Sequence, residues 1–451
     1  MLVVSKLSPG GNAAYQGVSS VREDEGRRDW LVNHHPTAGL QVRRRGVYAA
    51  WGLHCLLAHS VFSEQVGYAS GVNLGRVVAS LLLCGGVALL CLEVVRGVRH
   101  HTLWCLPRVV RCLLAVLLLA GVVSIVRNVK PDLVTLSRVF TLPDTGCAML
   151  VPIVMIIGAD RCVWPCLNEV FIYHTSIGVI YSAAVILAAA AGAGDPLWIC
   201  FPVVGNPLLY ASGFLLLTWQ RQRKSAIALG ALGVFLYGLT GVLLASRRTV
   251  VESLLLGACL GATFRQRAWP GARSAIVTVG VLTIMVAAVV FLASTPLHEP
   301  FRDEVIRFLE KTPADSRSDV WAEFVDDLSA MDWAVGRGAY SFYTSNFWPG
   351  IGGLERNGIE SGYLTLILKG GIALLAPFLA LVVPAALLGL FGSRNCFSWA
   401  AGAVILMRLV GMVAHQPPWA GTSYVFFWLA VGMCYNKSAS QNLNFLFPAS
   451  R

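Results

Sequence analysis

The sequence predicts an all-α, polytopic membrane protein with about 12 transmembrane helices. Of its 451 residues, 56% are hydrophobic and only 13% are charged, and the mean hydropathy is +0.65. After Val47 the chain is mostly a series of apolar runs of about 17 to 25 residues, the length that a helix needs to cross roughly 30 Å of hydrocarbon. A composition this apolar excludes an ordinary water-soluble domain.

The predicted organisation has five parts. Residues 1–45 are polar and lack the apolar core of a signal peptide, so they are expected to form a flexible cytoplasmic tail. Residues 46–293 are expected to hold transmembrane helices 1–9, 294–359 a long periplasmic loop between spans 9 and 10, 360–436 helices 10–12, and 437–451 a second cytoplasmic tail. The expected span centres are Cys55, Val87, Leu117, Val154, Ala183, Leu209, Leu232, Gly257, Leu282, Leu379, Val404 and Phe427.

Basic residues give the expected orientation, because short cytoplasmic loops are rich in Lys and Arg. Arg43, Arg44 and Arg45 precede the first span, and the Arg96–Arg108 and Arg221–Lys224 regions fall on alternate loops after it. If these loops are cytoplasmic, the loop 294–359 faces the periplasm. The expected location is therefore a bacterial inner membrane, with the active site on the periplasmic side.

Two outer positions break this charge rule. One is the loop with Arg127, Lys130 and Arg138, and the other is the pair Arg247 and Arg248. A basic residue in a non-cytoplasmic loop opposes the orientation signal. Binding of an anion is one functional reason for a basic residue at such a position. Snorkelling from a helix end to lipid headgroups is the simpler explanation for either position taken alone.

Other functional classes have little support in the sequence. The net charge of +11 comes from cations in short loops beside apolar runs, which favours contact with membrane lipids over nucleic acid. Most of the twelve cysteines lie inside apolar runs and form no metal-ligand pattern. Phosphate-binding and hydrolase motifs are missing from the sequence as well, so no cofactor and no metal are predicted.

The loop 294–359 is the expected place of any chemistry. Its stretch Phe301–Lys311 has helical spacing of apolar residues and is expected to form an amphipathic helix at the membrane surface. A second helix is predicted to begin near Ser316, with Arg317 in its first turn and Trp321 on the face continued by Phe324 and Leu328. An Arg at the positive end of a helix is suited to converging on an anion.

The second half of the loop combines a predicted turn at Gly336–Gly338 with a run of aromatic residues. An interfacial aromatic belt is the simpler interpretation of that run, and stacking on sugars by Tyr340, Tyr343 and Trp348 is the functional one.

Glu360 lies where the loop re-enters the membrane. A carboxylate at that depth is costly unless it is paired or used. A purely structural role for Glu360 would be to stabilise the start of the next helix or to form a salt bridge with Arg356.

Three blocks of sequence resemble the O-antigen ligase and O-antigen polymerase superfamily, which includes Wzy-type polymerases of surface polysaccharide. Ser246-Arg247-Arg248-Thr249 is similar to the family's Ser-Arg-Gly or Ser-Arg-Thr motif. Ser316-Arg317 with Trp321, then Gly336-Arg337-Gly338, is similar to its Arg-x-x-x-Trp followed by a Gly-x-Gly turn. Glu360-Ser361-Gly362-Tyr363-Leu364, then Gly370-Gly371-Ile372, is similar to its His-Asn-x-Tyr-Leu and downstream Gly.

The detailed match covers roughly residues 245 to 390, and one departure bears on function. Glu360 stands where ligases have His, and Ser361 stands where they have Asn. This departure favours a polymerase of O-antigen or exopolysaccharide over a ligase.

The resemblance implies a glycosyltransferase that takes glycan from undecaprenyl diphosphate and passes it to an acceptor sugar hydroxyl with inversion. In this scheme Arg247 and Arg317 stabilise the leaving diphosphate, with Arg248 as the alternative to Arg247, and Glu360 accepts the proton of the attacking hydroxyl. The implied partners are an undecaprenyl-diphosphate-linked oligosaccharide, membrane lipids and a chain-length regulator. The expected substrate-binding residues are Arg248, Trp321, Tyr340, Tyr343, Trp348 and Tyr363.

Two alternatives stay open at this stage. Ligation of glycan to lipid or protein uses the same chemistry. A flippase for lipid-linked glycan or an anion transporter has a similar number of spans, but it more typically places ionisable residues near the midplane of discontinuous helices. The spans carry few internal charges, with Arg408 and Glu252 as the main exceptions, which favours chemistry at one surface.

Overall fold

The structure is a computed structural model. It describes residues 46–69, 73–98, 106–127, 143–160, 163–190, 206–243, 256, 259, 316–345, 354–356, 359, 361–393, 395–413 and 422–436. The tails 1–45 and 437–451, the expected helix Phe301–Lys311 and the span centres Gly257 and Leu282 lie outside these residues. The described part is mostly helical, which confirms the all-α prediction at that level.

The helices that precede the loop are apolar and have 12 to 27 residues; a helix in lipid satisfies its own backbone polar groups. A short 3₁₀ turn, Trp219–Arg221, separates the last two of them. Their bounds are α1 Val47–Ala69, α2 Asn73–Val98, α3 Arg108–Val126, α4 Pro143–Ala159, α5 Trp164–Ala190, α6 Asn206–Leu217 and α7 Lys224–Leu243.

The loop segment adds two short helices and a two-stranded antiparallel pair, in which Tyr343 lies opposite Arg356. This strand pair is a local departure from the all-α prediction. The helix after it continues as a π-helical turn, Leu388–Gly392. The elements are α8 Ser316–Asp327, α9 Ala330–Val335, β1 Tyr343–Ser345, β2 Leu354–Arg356, α10 Gly362–Leu387, α11 Cys396–Gly411 and α12 Thr422–Tyr435.

Among the described residues, two helices are long and apolar enough to cross a membrane, Arg108–Val126 and Gly362–Gly392. A third span results if 151–159 and 164–184, which meet at 113°, are counted as one. On α3, Val109 and Val126 are about 70% exposed (69% and 71%), as expected for side chains that face lipid. These helices identify a membrane protein. Every predicted span centre within the described residues lies inside a helix.

The centre of the helical bundle is α12, which packs against α1, α4, α6, α10 and α11. All of its residues from Tyr424 to Met433 are buried. The crossing of α4 and α12 depends on one glycine from each helix. A Cβ atom on Gly158 would lie 2.3 Å from the Leu429 carbonyl oxygen, and one on Gly432 would lie 2.2 Å from the Met155 carbonyl oxygen. Small residues therefore let these two backbones touch.

Two features of the helices differ from the sequence-based expectation. First, α10 is broken at Gly371, whose φ of 63° and ψ of −164° are not helical. Second, Arg408, with Glu252 outside the described residues, is not the main ionisable residue within the described helices. Lys369, Glu93 and His174 are also buried there, each no more than 5% exposed.

Candidate functional site

Helix α8 begins at Ser316, as predicted, and the backbone of Arg317 lies in its first turn. Helix α9 begins with a capping box. The Ser329 hydroxyl accepts from the Asp332 N–H, and the Asp332 carboxylate accepts from the Ser329 N–H. Such reciprocal bonds satisfy backbone donors that a helix start leaves open. The capping box therefore fixes where α9 begins.

A small hydrophobic cluster, here called the loop core, holds α8 against the beginning of α10. The rings of Phe324 and Tyr343 meet edge to face, with centroids 5.5 Å apart. The predicted apolar face of α8 is thus the face that packs. The buried members of the loop core are Val320, Phe324, Leu328, Tyr343, Ile359, Ile367 and Leu368, and Trp321 packs against them half-buried.

The turn Gly336–Gly338 caps the break in α10. The Arg337 N–H donates to the Leu368 carbonyl oxygen at 2.7 Å, and the Gly338 N–H donates to the Lys369 carbonyl oxygen at 3.1 Å. A break leaves the last carbonyl groups of the preceding helical segment without intrahelical partners. The turn supplies these partners, so the loop and the broken helix complete each other.

Glycine is required on both sides of this contact. Gly336 has φ of 69°, and a Cβ there would lie 2.4 Å from the Gly370 nitrogen. A Cβ on Gly371 would lie 2.4 Å from the Val335 nitrogen. Both positions combine a left-handed backbone with direct backbone contact, which only glycine tolerates without strain.

The end of α3 joins the same place. The Ser124 hydroxyl donates to the Lys369 carbonyl oxygen at 2.7 Å, and the Ala339 N–H donates to the Ser124 carbonyl oxygen at 2.9 Å. Arg127 donates from Nη1 to the Gly336 carbonyl oxygen. The Lys369 side chain, only 3% exposed, donates from Nζ to the Ser341 carbonyl oxygen at 3.0 Å. We call this contact region the junction; it comprises 124–127, 336–341 and 368–371.

Two helical stretches that meet the junction have about the length of a membrane span. Helix α3 has 19 residues and is about 28 Å long at roughly 1.5 Å per residue. The stretch from Gly371 to Gly392 is slightly over 30 Å long by the same rise, close to the roughly 30 Å of a hydrocarbon layer. Helix α3 ends at the junction, and this stretch begins there.

Arg337 is held by acidic residues of the loop. Its guanidinium contacts the Asp327 carboxylate at 2.6 Å and the Asp332 carboxylate at 3.1 Å. Partial burial acts to raise the pKa of Asp332, but hydrogen bonds from Arg337 and Ser329 outweigh burial and lower that pKa. Burial likewise acts to lower the pKa of Arg337, and the two carboxylates raise it. The charge of Arg337 is therefore used to fold the loop.

The structure gives four predicted substrate-binding residues distinct environments. Tyr343 is only 1% exposed in the loop core, so no sugar could stack on its ring in this arrangement. Tyr340 is half-buried and packs near Ile125 at the end of α3. Trp321 lies half-buried on the loop core. The Tyr363 hydroxyl donates to the Leu409 carbonyl oxygen at 2.6 Å.

Arg247, Arg248, Trp348 and Glu360 lie outside the described residues. The backbone on both sides of position 360 is nevertheless well defined. The Thr365 hydroxyl accepts from the Ile359 N–H and donates to the Ile359 carbonyl oxygen, at 3.1 and 3.0 Å. The Gly362 N–H donates to the Met412 carbonyl oxygen at 2.7 Å. The start of α10 is therefore fixed to the end of α11.

Sequence reasoning missed the roles of Ser124 and Lys369. Lys369 could have been found, because a charge within an apolar run is a functional candidate by the same rule that selects Glu360. Ser124 has no comparable signal, since a hydroxyl in a span can bond to its own helix. Within the described parts of the chain, no three His, Cys, Asp or Glu side chains come together in a way that could hold a metal ion.

Comparison of this chain with protein-family models, curated proteins and solved structures found no match.

Proposed function

We propose that this protein is a polymerase of surface polysaccharide. It has about 12 spans in a bacterial inner membrane, with the junction and residues 316–345 on the periplasmic side. Its donor is a glycan on undecaprenyl diphosphate, and its acceptor is a sugar hydroxyl. The proposal draws on the motif resemblance and on the way the described residues of those motifs meet.

The observation that carries the proposal is the loop core. It gathers Val320 and Phe324 of α8, the helix that bears Arg317, into one hydrophobic cluster with Ile359 and Ile367, which lie before and after position 360. Residues of two motifs separated by a long polar segment thus belong to one hydrophobic cluster. A diphosphate-binding arginine and a base need this proximity, because each must act on the same glycosidic centre.

In the proposed reaction, the acceptor oxygen attacks the anomeric carbon from the face opposite the diphosphate. The bond from that carbon to the diphosphate oxygen breaks, and undecaprenyl diphosphate leaves with the electron pair. Glu360 takes the proton of the attacking hydroxyl. Arg317 and Arg247 stabilise the negative charge on the leaving group, because a guanidinium binds phosphate oxygens in a bidentate manner.

A transporter of lipid-linked glycan or of anions is the second candidate. The observation in its favour is the break in α10 beside the buried Lys369, because transporters place charges at discontinuous helices. The turn Gly336–Gly338 fills this break, however, and in the proposed arrangement the break lies at the membrane surface rather than at the midplane. Both facts favour surface chemistry.

The test uses purified full-length protein in lipid nanodiscs with an undecaprenyl-diphosphate-linked repeat unit from the source organism. Product length and released undecaprenyl diphosphate are measured for the wild type, Arg317→Ala and Glu360→Gln. Matched controls are Arg223→Ala and Asp326→Asn, which remove a charge at exposed positions. Loss of the base is expected to slow the reaction by about 10²- to 10⁴-fold.

A ladder of products from the wild type and both controls, but from neither site variant, would support polymerisation through these residues. Equal ladders from all five proteins would exclude Arg317 and Glu360 from the site. Transfer of glycan only to lipid A or to protein would indicate a ligase. In proteoliposomes, movement of the lipid-linked glycan without new glycosidic bonds would indicate a transporter.

A further inference from the structure

We propose that Arg127 binds a phosphate group of the lipid diphosphate donor, as an arginine of the site contributed by α3. This inference rests on the proposed function and deepens it. The three resembling motifs begin near residue 245, so nothing in them leads to Arg127. The argument comes from its charge, its contacts and its depth.

The charge of Arg127 opposes the expected orientation of the chain. The residue follows the outer end of α3, where the charge rule disfavours Arg and Lys. The junction independently places this end beside Gly336 and Ala339 of the loop. A basic residue that opposes the orientation signal at the proposed active surface is a candidate for a functional role at that surface.

The contacts of Arg127 leave most of its guanidinium group available. Nη1 donates to the Gly336 carbonyl oxygen, and the residue is otherwise exposed. Among the described residues, no carboxylate pairs with Arg127. Arg337, the next residue after Gly336, is by contrast bound to Asp327 and Asp332. The backbone oxygen of Gly336 is uncharged, so it orients the guanidinium group of Arg127 without neutralising its positive charge.

The expected position of Arg127 at the membrane surface indicates which class of anion it would bind. It ends a helix of 19 residues, about 28 Å long, and so lies where lipid phosphate groups meet water. A lipid diphosphate held there keeps its polyprenyl tail in the hydrocarbon layer. Its phosphate oxygens then meet the planar donor fork of arginine, which suits them better than the point charge of lysine does.

The test measures binding of undecaprenyl diphosphate to full-length protein in phosphatidylcholine nanodiscs. Arg127→Gln keeps an N–H donor for Gly336 and removes the charge, and Arg127→Lys keeps the charge without the fork. Arg108→Gln is the matched control, since Arg108 is exposed at the opposite end of the same helix. Arg317→Ala and undecaprenol, which lacks phosphate, are measured alongside. Retention of phosphatidylglycerol is measured in a parallel set.

We expect Arg127→Gln to weaken undecaprenyl diphosphate binding by about 10- to 100-fold, the usual effect of losing charge-assisted hydrogen bonds. Arg127→Lys should lie between Arg127→Gln and the wild type, and Arg108→Gln should equal the wild type. Undiminished binding by both Arg127 variants, with weaker binding by Arg317→Ala, would overturn this inference and leave the proposed function standing. Loss of phosphatidylglycerol alone would assign Arg127 to a lipid headgroup and also overturn it. Equal wild-type binding of undecaprenol and undecaprenyl diphosphate would overturn both proposals.

Discussion

The Ser124 hydroxyl of α3 donates a 2.7 Å hydrogen bond to the main-chain oxygen of Lys369, across 245 residues of sequence. The same oxygen accepts from the Gly338 N–H. One carbonyl group at the break of α10 therefore binds both a neighbouring membrane helix and the loop. This shared acceptor makes the loop part of the membrane-embedded structure.

We expect Ser124→Ala to loosen the loop without unfolding the bundle. The Lys369 oxygen keeps its bond from Gly338, so the loss is that of one hydrogen bond, about 1 kcal/mol. Hydrogen exchange measured by mass spectrometry should show faster exchange at 336–341. Ser225→Ala, at an exposed position, is the control. Unchanged exchange in Ser124→Ala would contradict the role given to this bond.

Gly371→Ala should detach the turn from the break. At φ of 63° an added Cβ would meet the Ala334 and Val335 backbone at 2.4 Å, and backbone atoms cannot move aside as a side chain can. We expect a loss of stability above the roughly 1 kcal/mol of ordinary left-handed strain, seen in thermal unfolding.

The matched control for this glycine is Gly85→Ala on α2. A Cβ at position 85 has no neighbour within 4 Å. Since alanine favours helix by about 1 kcal/mol over glycine, this variant should be as stable as the wild type or more so. Equal unfolding temperatures for both variants would mean that the break does not need glycine.

Acid should weaken the ion pairs of Arg337. The pKa of Asp332 is lower in the folded loop than in the unfolded chain, so its stabilisation is present above the ordinary Asp pKa of about 3.9 and is lost as the pH falls through the folded value. Limited proteolysis of 327–341 should therefore accelerate below about pH 4. Asp332→Asn should remove most of this acid-induced change. If acid accelerates proteolysis equally in Asp332→Asn, the acid-induced change comes from titratable groups other than Asp332.

Trp321→Phe should be tolerated far better than Trp321→Ala. The indole Nε1 is buried without a hydrogen-bond partner among the described residues, so the phenyl ring removes no bond recorded there. Truncation to alanine removes packing from the loop core and should cost about 2 to 4 kcal/mol, measured by denaturant unfolding in detergent. If the two variants are equally impaired in polymerisation, the N–H has a ligand and packing is not the main role of Trp321.

Much of the fold follows from the sequence because lipid imposes simple rules. Apolar run length places α3 and α10, and Ser316 with its helical apolar spacing places α8. These features are local in the chain. Hydropathy indicates neither which helix faces are in contact nor where a helix bends, so it does not predict the break at Gly371. The β1–β2 pair is likewise not predicted from the sequence.

The local elements of the candidate site could be predicted from the sequence, but the contacts that bring them together could not. The Gly336–Gly338 turn and the first turn of α8 lie where motif spacing indicates. The contact of α3 with the turn joins residues far apart in sequence and has no local signal. Tyr343 looks from sequence like its aromatic neighbours, and only packing against Phe324 distinguishes it.

The position of α12 constrains the order in which the protein can be assembled. The helices it contacts, α1, α4, α6, α10 and α11, all precede it in the chain. A ribosome therefore delivers the middle of the bundle after the helices that surround it. Those helices must stay apart, or be held by the insertion machinery, until Thr422–Tyr435 emerges. A central helix of this bundle therefore joins it after its neighbours have been made.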